Sequence, residues 1–208
     1  MGVVFKNTQV DHSLLVKMCA QKGEGRATAR FATIGGQEAT SVLIGNVQVI
    51  CFEGTGDLLD VINDVRIFPW KTDYGWCHAG FYKSARRWVN AHGGDLLDAW
   101  KHDAFESLCL TGHSLGAAIS VQVAMQIGLP ISQITLFGEP RSMFKSSKKK
   151  FYERGLHTVT TSYREGFDKV CSLPLPFWFQ HCHEIKDIGR ESGYDHSITE
   201  YDKAVSAL

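Results

Sequence analysis

The 208-residue chain carries no surplus of charge: 22 Lys and Arg stand against 22 Asp and Glu. With a formal net charge of zero there is no basic field of the kind that gathers nucleic acid. Nor is there a long apolar run, because no stretch approaches the ~18 residues of a membrane span. Met1-Gly2-Val3-Val4-Phe5-Lys6 lacks the charged start and apolar centre of a leader, and Lys6 stands where a myristoylation signal has Ser or Thr. The six cysteines (Cys19, Cys51, Cys77, Cys109, Cys171, Cys182) contain no Cys-x-x-Cys pair, and two lie in apolar strand-like runs, as reduced buried thiols do. Repeats, low-complexity tracts and linkers are also missing. Residues 1–208 therefore read as one domain of a soluble, cytoplasmic protein.

What is present is an alternation of patterns. Asp11 caps a short helix whose apolar face is Leu14, Leu15, Met18 and Cys19, ended by Gly23-Glu24-Gly25. Ser41 to Ile44 and Val47 to Phe52 are β-branched runs around Gly45-Asn46, a hairpin signal. Phe81, Ala85, Trp88 and Val89 recur at helical intervals, as do Leu96, Leu97 and Trp100 beyond an expected break at Gly93-Gly94. Leu108 to Leu110 is a strand. Leu115 to Ile127 is apolar almost all round, the mark of a helix buried on a sheet, until Gly128 and Pro130 stop it. Ile134 to Phe137, His157 to Tyr163 and, more weakly, His183 to Asp187 add strands. Strands alternating with helices predict an α/β fold, a mostly parallel central sheet with helices on both faces.

At the hand-over from the 108–110 strand to the buried helix stands Gly112-His113-Ser114-Leu115-Gly116. A nucleophilic serine needs an exposed hydroxyl, a nearby base, and backbone N–H groups aimed at the oxygen that becomes negative in acyl transfer. A sharp strand-turn-helix corner provides all three. It strains the serine and leaves no room for side chains two residues to either side, which glycine satisfies.

The segment Gly112-His113-Ser114-Leu115-Gly116-Ala117-Ala118 resembles the nucleophile segment of the class 3 lipases, the fungal-lipase-like branch of the α/β-hydrolases. Other segments agree in order. Phe52-Glu53-Gly54-Thr55 is similar to the family's Phe-Arg-Gly-Thr/Ser, His78-Ala79-Gly80-Phe81 to its His-x-Gly-Phe, and Phe137-Gly138-Glu139-Pro140-Arg141 to its Phe-Gly-x-Pro-Arg. Asp168-Lys169-Val170-Cys171-Ser172-Leu173-Pro174 resembles Asp-x-Val-Pro-x-Leu-Pro, and Asp195-His196-Ser197-Ile198-Thr199-Glu200-Tyr201 the terminal His segment. The chain departs from the pattern at Glu53, where the family has Arg, at Cys171, where it has Pro, and after Arg141, where Val-Gly-Asn is absent. No departure removes a catalytic side chain.

The resemblance implies an α/β-hydrolase in which Ser114 is the nucleophile, His196 the base and Asp168 the acid, in the chain order that such a sheet imposes. His181 and His183, which also follow Asp168, are the rival bases. His12, His92, His102 and His157 come too early, and the turn directs His113 away from the base position. Glu139, Glu165, Glu184, Asp187 and Asp195 also follow the serine, but Asp168 alone lies just past a strand and before a Leu-Pro turn. The elbow offers the Leu115 N–H to an oxyanion, and the resemblance adds Thr55. It also marks Asp60 and Asp64 as structural carboxylates.

The expected activity is hydrolysis of short- to medium-chain acyl esters. A catalytically silent fold that binds a lipid or a partner is the alternative. Residues 56–64 are short for a lid and read as a packed helix, giving a compact fold with little or no lid. Trp70 and Trp76 in one aromatic-rich loop, Phe177 and Trp178 in another, and His113 are the candidate substrate-lining residues. Partners are then a small-molecule or lipid ester and a transient lipid surface, without nucleic acid. Lys145 to Lys150 read as a solvated helix face. His181-Cys182-His183 cannot complete a metal site, because neighbouring strand residues face opposite ways, and nothing calls for a cofactor.

Overall fold

The computed structural model describes residues 9–20, 29–31, 38–54, 68–174, 176–189 and 196–208. Helix α1 (His12–Ala20) starts where the Asp11 carboxylate accepts from the Ser13 N–H at 2.6 Å, a capped first turn, and buries Leu15 and Val16. Strands β1 (Ala29–Phe31), β2 (Ala39–Ile44) and β3 (Val47–Phe52) are antiparallel neighbours, and β2 turns into β3 at Gly45, whose φ of 60° is cheap only for glycine.

From β3 onward the sheet is parallel. It continues through β6 (Ser107–His113), β7 (Ile131–Phe137), β8 (Thr160–Glu165) and β9 (Ile185–Ile188), in the order β1-β2-β3-β6-β7-β8-β9. The alternation along each strand separates two cores. Ile50, Phe52, Leu108, Leu110, Ile134 and Leu136 face the helices α2 (Ala79–Lys101) and α3 (Leu115–Gln126). Val49, Cys109 and Phe137 face α1 and the final helix α5 (Ile198–Val205). Helices therefore cover both faces, as a parallel sheet requires.

Helix α3 is buried at every position from Gly116 to Met125, which accounts for its lack of an apolar stripe. Each large side chain taken out of water there contributes about 1.5–3 kcal/mol. The expected break at Gly93-Gly94 is absent: α2 runs 23 residues without interruption. Each glycine costs a helix about 1 kcal/mol, and the burial of Phe81, Ala85, Trp88 and Leu96 outweighs that. Residues 68–78, read as an aromatic loop, contain a separate hairpin, β4 (Pro69–Thr72) and β5 (Gly75–His78). The basic run lies on α4 (Lys145–Glu153), with Lys149 and Lys150 paired to Glu153. Among the described residues no helix is long and apolar enough to cross a membrane.

Candidate active site

Strand β6 delivers Ser114 to the corner with α3 at φ 61°, ψ −124°, a conformation that L residues rarely adopt. The neighbouring glycines make it possible. A β-carbon on Gly112 would stand 2.4 Å from the Gly116 carbonyl carbon, and one on Gly116 would stand 2.1 Å from the Phe52 carbonyl oxygen of β3. Both are far inside contact distance, so the corner admits no larger residue. The Ser114 N–H donates to the Phe137 carbonyl at 2.9 Å, which ties the corner to the end of β7.

Two side chains from later in the chain meet this serine. His196 Nε2 lies 2.7 Å from Ser114 Oγ, and its Nδ1 lies 2.7 Å from Asp168 Oδ2. A carboxylate only accepts, so Nδ1 carries the proton and Nε2 presents its lone pair to the hydroxyl. Asp168 is 2% exposed. Burial pushes its carboxyl up, but hydrogen bonds from His196, Tyr201 and the Val170 N–H outweigh it, and the group titrates below its ordinary range.

Three further groups surround these side chains; the sequence reading gave Tyr201 and Gly138 no role there and took His113 as substrate-lining. Tyr201 Oη donates to the same Asp168 Oδ2 at 2.6 Å; its position five residues after His196 on a capped helix was the available signal. Gly138, at φ 61°, lies close against the His196–Asp168 pair: a β-carbon would come within 2.9 Å of His196 Cε1 and 3.0 Å of Asp168 Oδ2. His113, expected to point away and line the substrate, instead sets its ring 4.5 Å from that of His196 and hydrogen-bonds the His196 backbone. Burial, and then the charge His196 would carry, push His113 down to about 3. It is a neutral backing to the base. The turn directs its side chain off the serine, as read, but towards the imidazole that arrives 83 positions later, which no local pattern reveals.

The rival bases are occupied elsewhere. His181 Nε2 lies 2.8 Å from the Cys171 carbonyl, and His183 lies near Tyr152. Leu115, as the first residue of α3, has a backbone N–H with no intrahelical acceptor, at the positive end of the helix dipole and next to Ser114. Its side chain packs with Val170 and Leu173 of the acid loop. Thr55, residues 56–64 with Asp60 and Asp64, and Asp195 lie outside the described residues. Gly54 is described, and a β-carbon there would meet the His113 carbonyl at 2.8 Å.

The aromatic candidates divide. Phe177 and Trp178 are 83% and 61% exposed beside the acid loop, whereas Phe179 is buried against His78 and Phe144. Trp70 sits on β4 under the Lys83 ammonium, and Trp76 on β5 packs beside Phe144. These hairpin contacts are with α2 and the α4 entry. His78, at the start of α2, accepts from the Phe81 N–H and stacks on its ring, and burial pushes it down to about 4. Among the described residues no three His, Cys, Asp or Glu side chains are grouped as metal ligands.

The Lipase (class 3) family matches residues 49–177. No curated protein matches the sequence. Among solved structures, a triacylglycerol lipase with a serine-protease triad as its catalytic centre is similar over 85% of this chain and 76% of its own, at 19% identity and a TM-score of 0.69. Rhizomucor miehei triacylglyceride lipase covers 86% and 77% at 19% identity and 0.67, and lipase II from Rhizopus niveus 83% and 70% at 20% and 0.68. At such identities the likeness is one of fold.

Proposed function

The chain belongs to the class 3 lipase family and is a carboxylester hydrolase, and from that premise we propose that Ser114, His196 and Asp168 are its catalytic triad, cleaving short- to medium-chain acyl esters. The observation that carries this reading is the unbroken chain of 2.7 Å contacts from Ser114 Oγ through His196 to Asp168.

Ser114 Oγ attacks the ester carbonyl while His196 Nε2 takes its proton. The imidazolium then gives that proton to the leaving alcohol, and water repeats the sequence on the acyl-enzyme. Asp168 fixes the tautomer and stabilises the cation, held in turn by Tyr201 and the Val170 N–H. The Leu115 N–H, with Thr55 as its partner by family resemblance, receives the charge on the carbonyl oxygen. Loss of one such donor costs about 3–4 kcal/mol of transition-state stabilisation. Phe177 and Trp178, exposed next to the acid loop, are suited to receive an acyl chain. Trp70 and Trp76 belong to a hairpin that rests on Lys83 of α2 and on Phe144 before α4, and they take a peripheral part. Six free cysteines support action in a reducing compartment, the cytoplasm, within one domain over 1–208.

A fluorophosphonate probe tests the assignment. Wild type should be labelled at Ser114, and Ser114→Ala should be unlabelled and lose at least ~10³-fold in turnover of nitrophenyl butyrate. Labelling at another serine, or full turnover by Ser114→Ala, overturns it. A nitrophenyl ester series from acetate to palmitate reads the acyl length.

A further inference from the structure

Behind the acid loop, away from Ser114, lies a buried carboxylate for which the triad chemistry has no use. Glu139 is fully buried and follows Gly138 directly. Its Oε2 accepts from Ser162 Oγ at 3.3 Å and from Cys182 Sγ at 3.6 Å, with His181 Nδ1 at 3.8 Å; its Oε1 has no hydrogen-bond partner among the described residues. Across the imidazole, His181 Nε2 lies 2.8 Å from the Cys171 carbonyl. A carbonyl cannot donate, so Nε2 carries the proton and Nδ1 is the atom turned to the carboxylate. At 3.8 Å the contact is longer than a hydrogen bond, and it attracts only with a proton on Nδ1 or on the carboxyl.

Cys171 belongs to the short 3-10 turn Val170–Ser172 that follows Asp168, and its Sγ lies 3.8 Å from Asp168 Oδ2. The next carbonyls of the same loop are held as well. Arg141 guanidinium donates to the Ser172 and Pro174 carbonyls, and the Arg141 N–H donates to that of Leu173 at 2.7 Å. Four successive carbonyls, 171 to 174, thus accept from two residues outside the loop. Of the four, the Cys171 carbonyl is the one reached by an imidazole, and that ring has the buried Glu139 carboxylate 3.8 Å from its other nitrogen.

We propose that Glu139 and His181 are positioning residues for the acid: Glu139 orients the imidazole, His181 clamps the Cys171 carbonyl, and the clamp sets the Asp168 carboxylate against His196. This rests on the triad assignment. It gives His181, a rival base by sequence, a different task, and it explains a carboxylate buried at a cost that core packing alone would not require. The pair touches neither substrate nor the reacting atoms.

The test exploits the two nitrogens of the ring. His181→Gln places an amide N–H where Nε2 was, within reach of the Cys171 carbonyl, whereas the shorter His181→Asn does not. Full-length enzyme should lose roughly tenfold in kcat in His181→Asn, the scale of one buried hydrogen bond, with KM changed by less than about twofold, and His181→Gln should stay within about threefold of wild type. Proton NMR supplies a readout independent of turnover: the downfield resonance of the His196 Nδ1 proton shared with Asp168 should broaden or move in His181→Asn and persist in His181→Gln. A variant of Glu139, Glu139→Leu, should behave like His181→Asn, and the double variant should fall no further. Equal kcat in all variants, or an unchanged resonance in His181→Asn, overturns the clamp while leaving the triad standing. If wild type fails to label at Ser114, the triad falls and the clamp with it. Should Glu139→Leu not fold, the Gln and Asn comparison decides alone.

Discussion

Tyr201 and Asp168 share a 2.6 Å hydrogen bond in which the phenol donates to the very oxygen that His196 also contacts. Burial pushes the Tyr201 hydroxyl far above its ordinary range, so it remains a donor at every working pH. Tyr201→Phe should therefore weaken the hold on a buried charge, with a loss of about 1.5–3 kcal/mol shared between stability and turnover. Urea unfolding and kcat on one nitrophenyl ester check it; a variant identical to wild type in both would show the bond to be idle.

Gly138 invites a sharper substitution. Its β-carbon would crowd His196 Cε1 and Asp168 Oδ2, both in the hydrogen-bonded chain that ends at Ser114, at a φ that disfavours any side chain. Gly138→Ala should cut kcat by at least ~100-fold, because small displacements of catalytic groups are costly. Gly94→Ala is the matching control: it lies inside α2 with open space around it and should gain about 0.5–1 kcal/mol in stability with unchanged turnover.

His78 and His113 make the fold acid-sensitive. Burial pushes them from 6.5 to about 4 and about 3, so between pH 6.5 and those values the unfolded chain holds protons that the folded chain does not. Their contribution is complete above pH 6.5 and is lost as pH falls, by roughly 3 kcal/mol for His78 by pH 4. Asp168, also lowered, adds a loss of the same direction below pH 3.8. Urea midpoints from pH 7 to pH 4 should decline steadily. His78→Asn, which keeps an acceptor at the start of α2, should decline less.

Cys19 on α1 and Cys51 on β3 hold their sulfurs 3.4 Å apart. Added oxidised glutathione should convert them to a disulfide: the half-buried Cys19 thiolate displaces one reduced glutathione, and Cys51 displaces the second from the mixed disulfide. The hydrogen bond shared with Cys19, in which a protonated Cys51 would donate, together with burial, pushes Cys51 well up, which makes that second step slow. Peptide mass spectrometry should find a Cys19–Cys51 link with the loss of two hydrogens, and Tm should rise by several degrees. Cys19→Ser should give neither.

Much of this was legible in the residues. The hairpin at Gly45, the buried helix after Ser114 and the glycines flanking that serine are local signals: turn chemistry, burial and a steric need for small residues; Asp168 and His196 were singled out by the family resemblance instead. The hairpin at 69–78 was hidden because its apolar and polar residues do not alternate cleanly; β4 is exposed along almost its whole length. The break in α2 was a propensity argument overruled by packing. His113, Gly138 and Glu139 were out of reach for a common reason: their partners are set by which strands lie side by side, and one sequence does not carry that information.

Helix α5 brings Tyr201, follows His196 directly and docks on α1. The imidazole and the phenol are thus anchored by a helix pair on the face of the sheet opposite α3, the helix that Ser114 opens. Loosening that pair would displace both groups together, so packing remote from the serine is coupled to its surroundings.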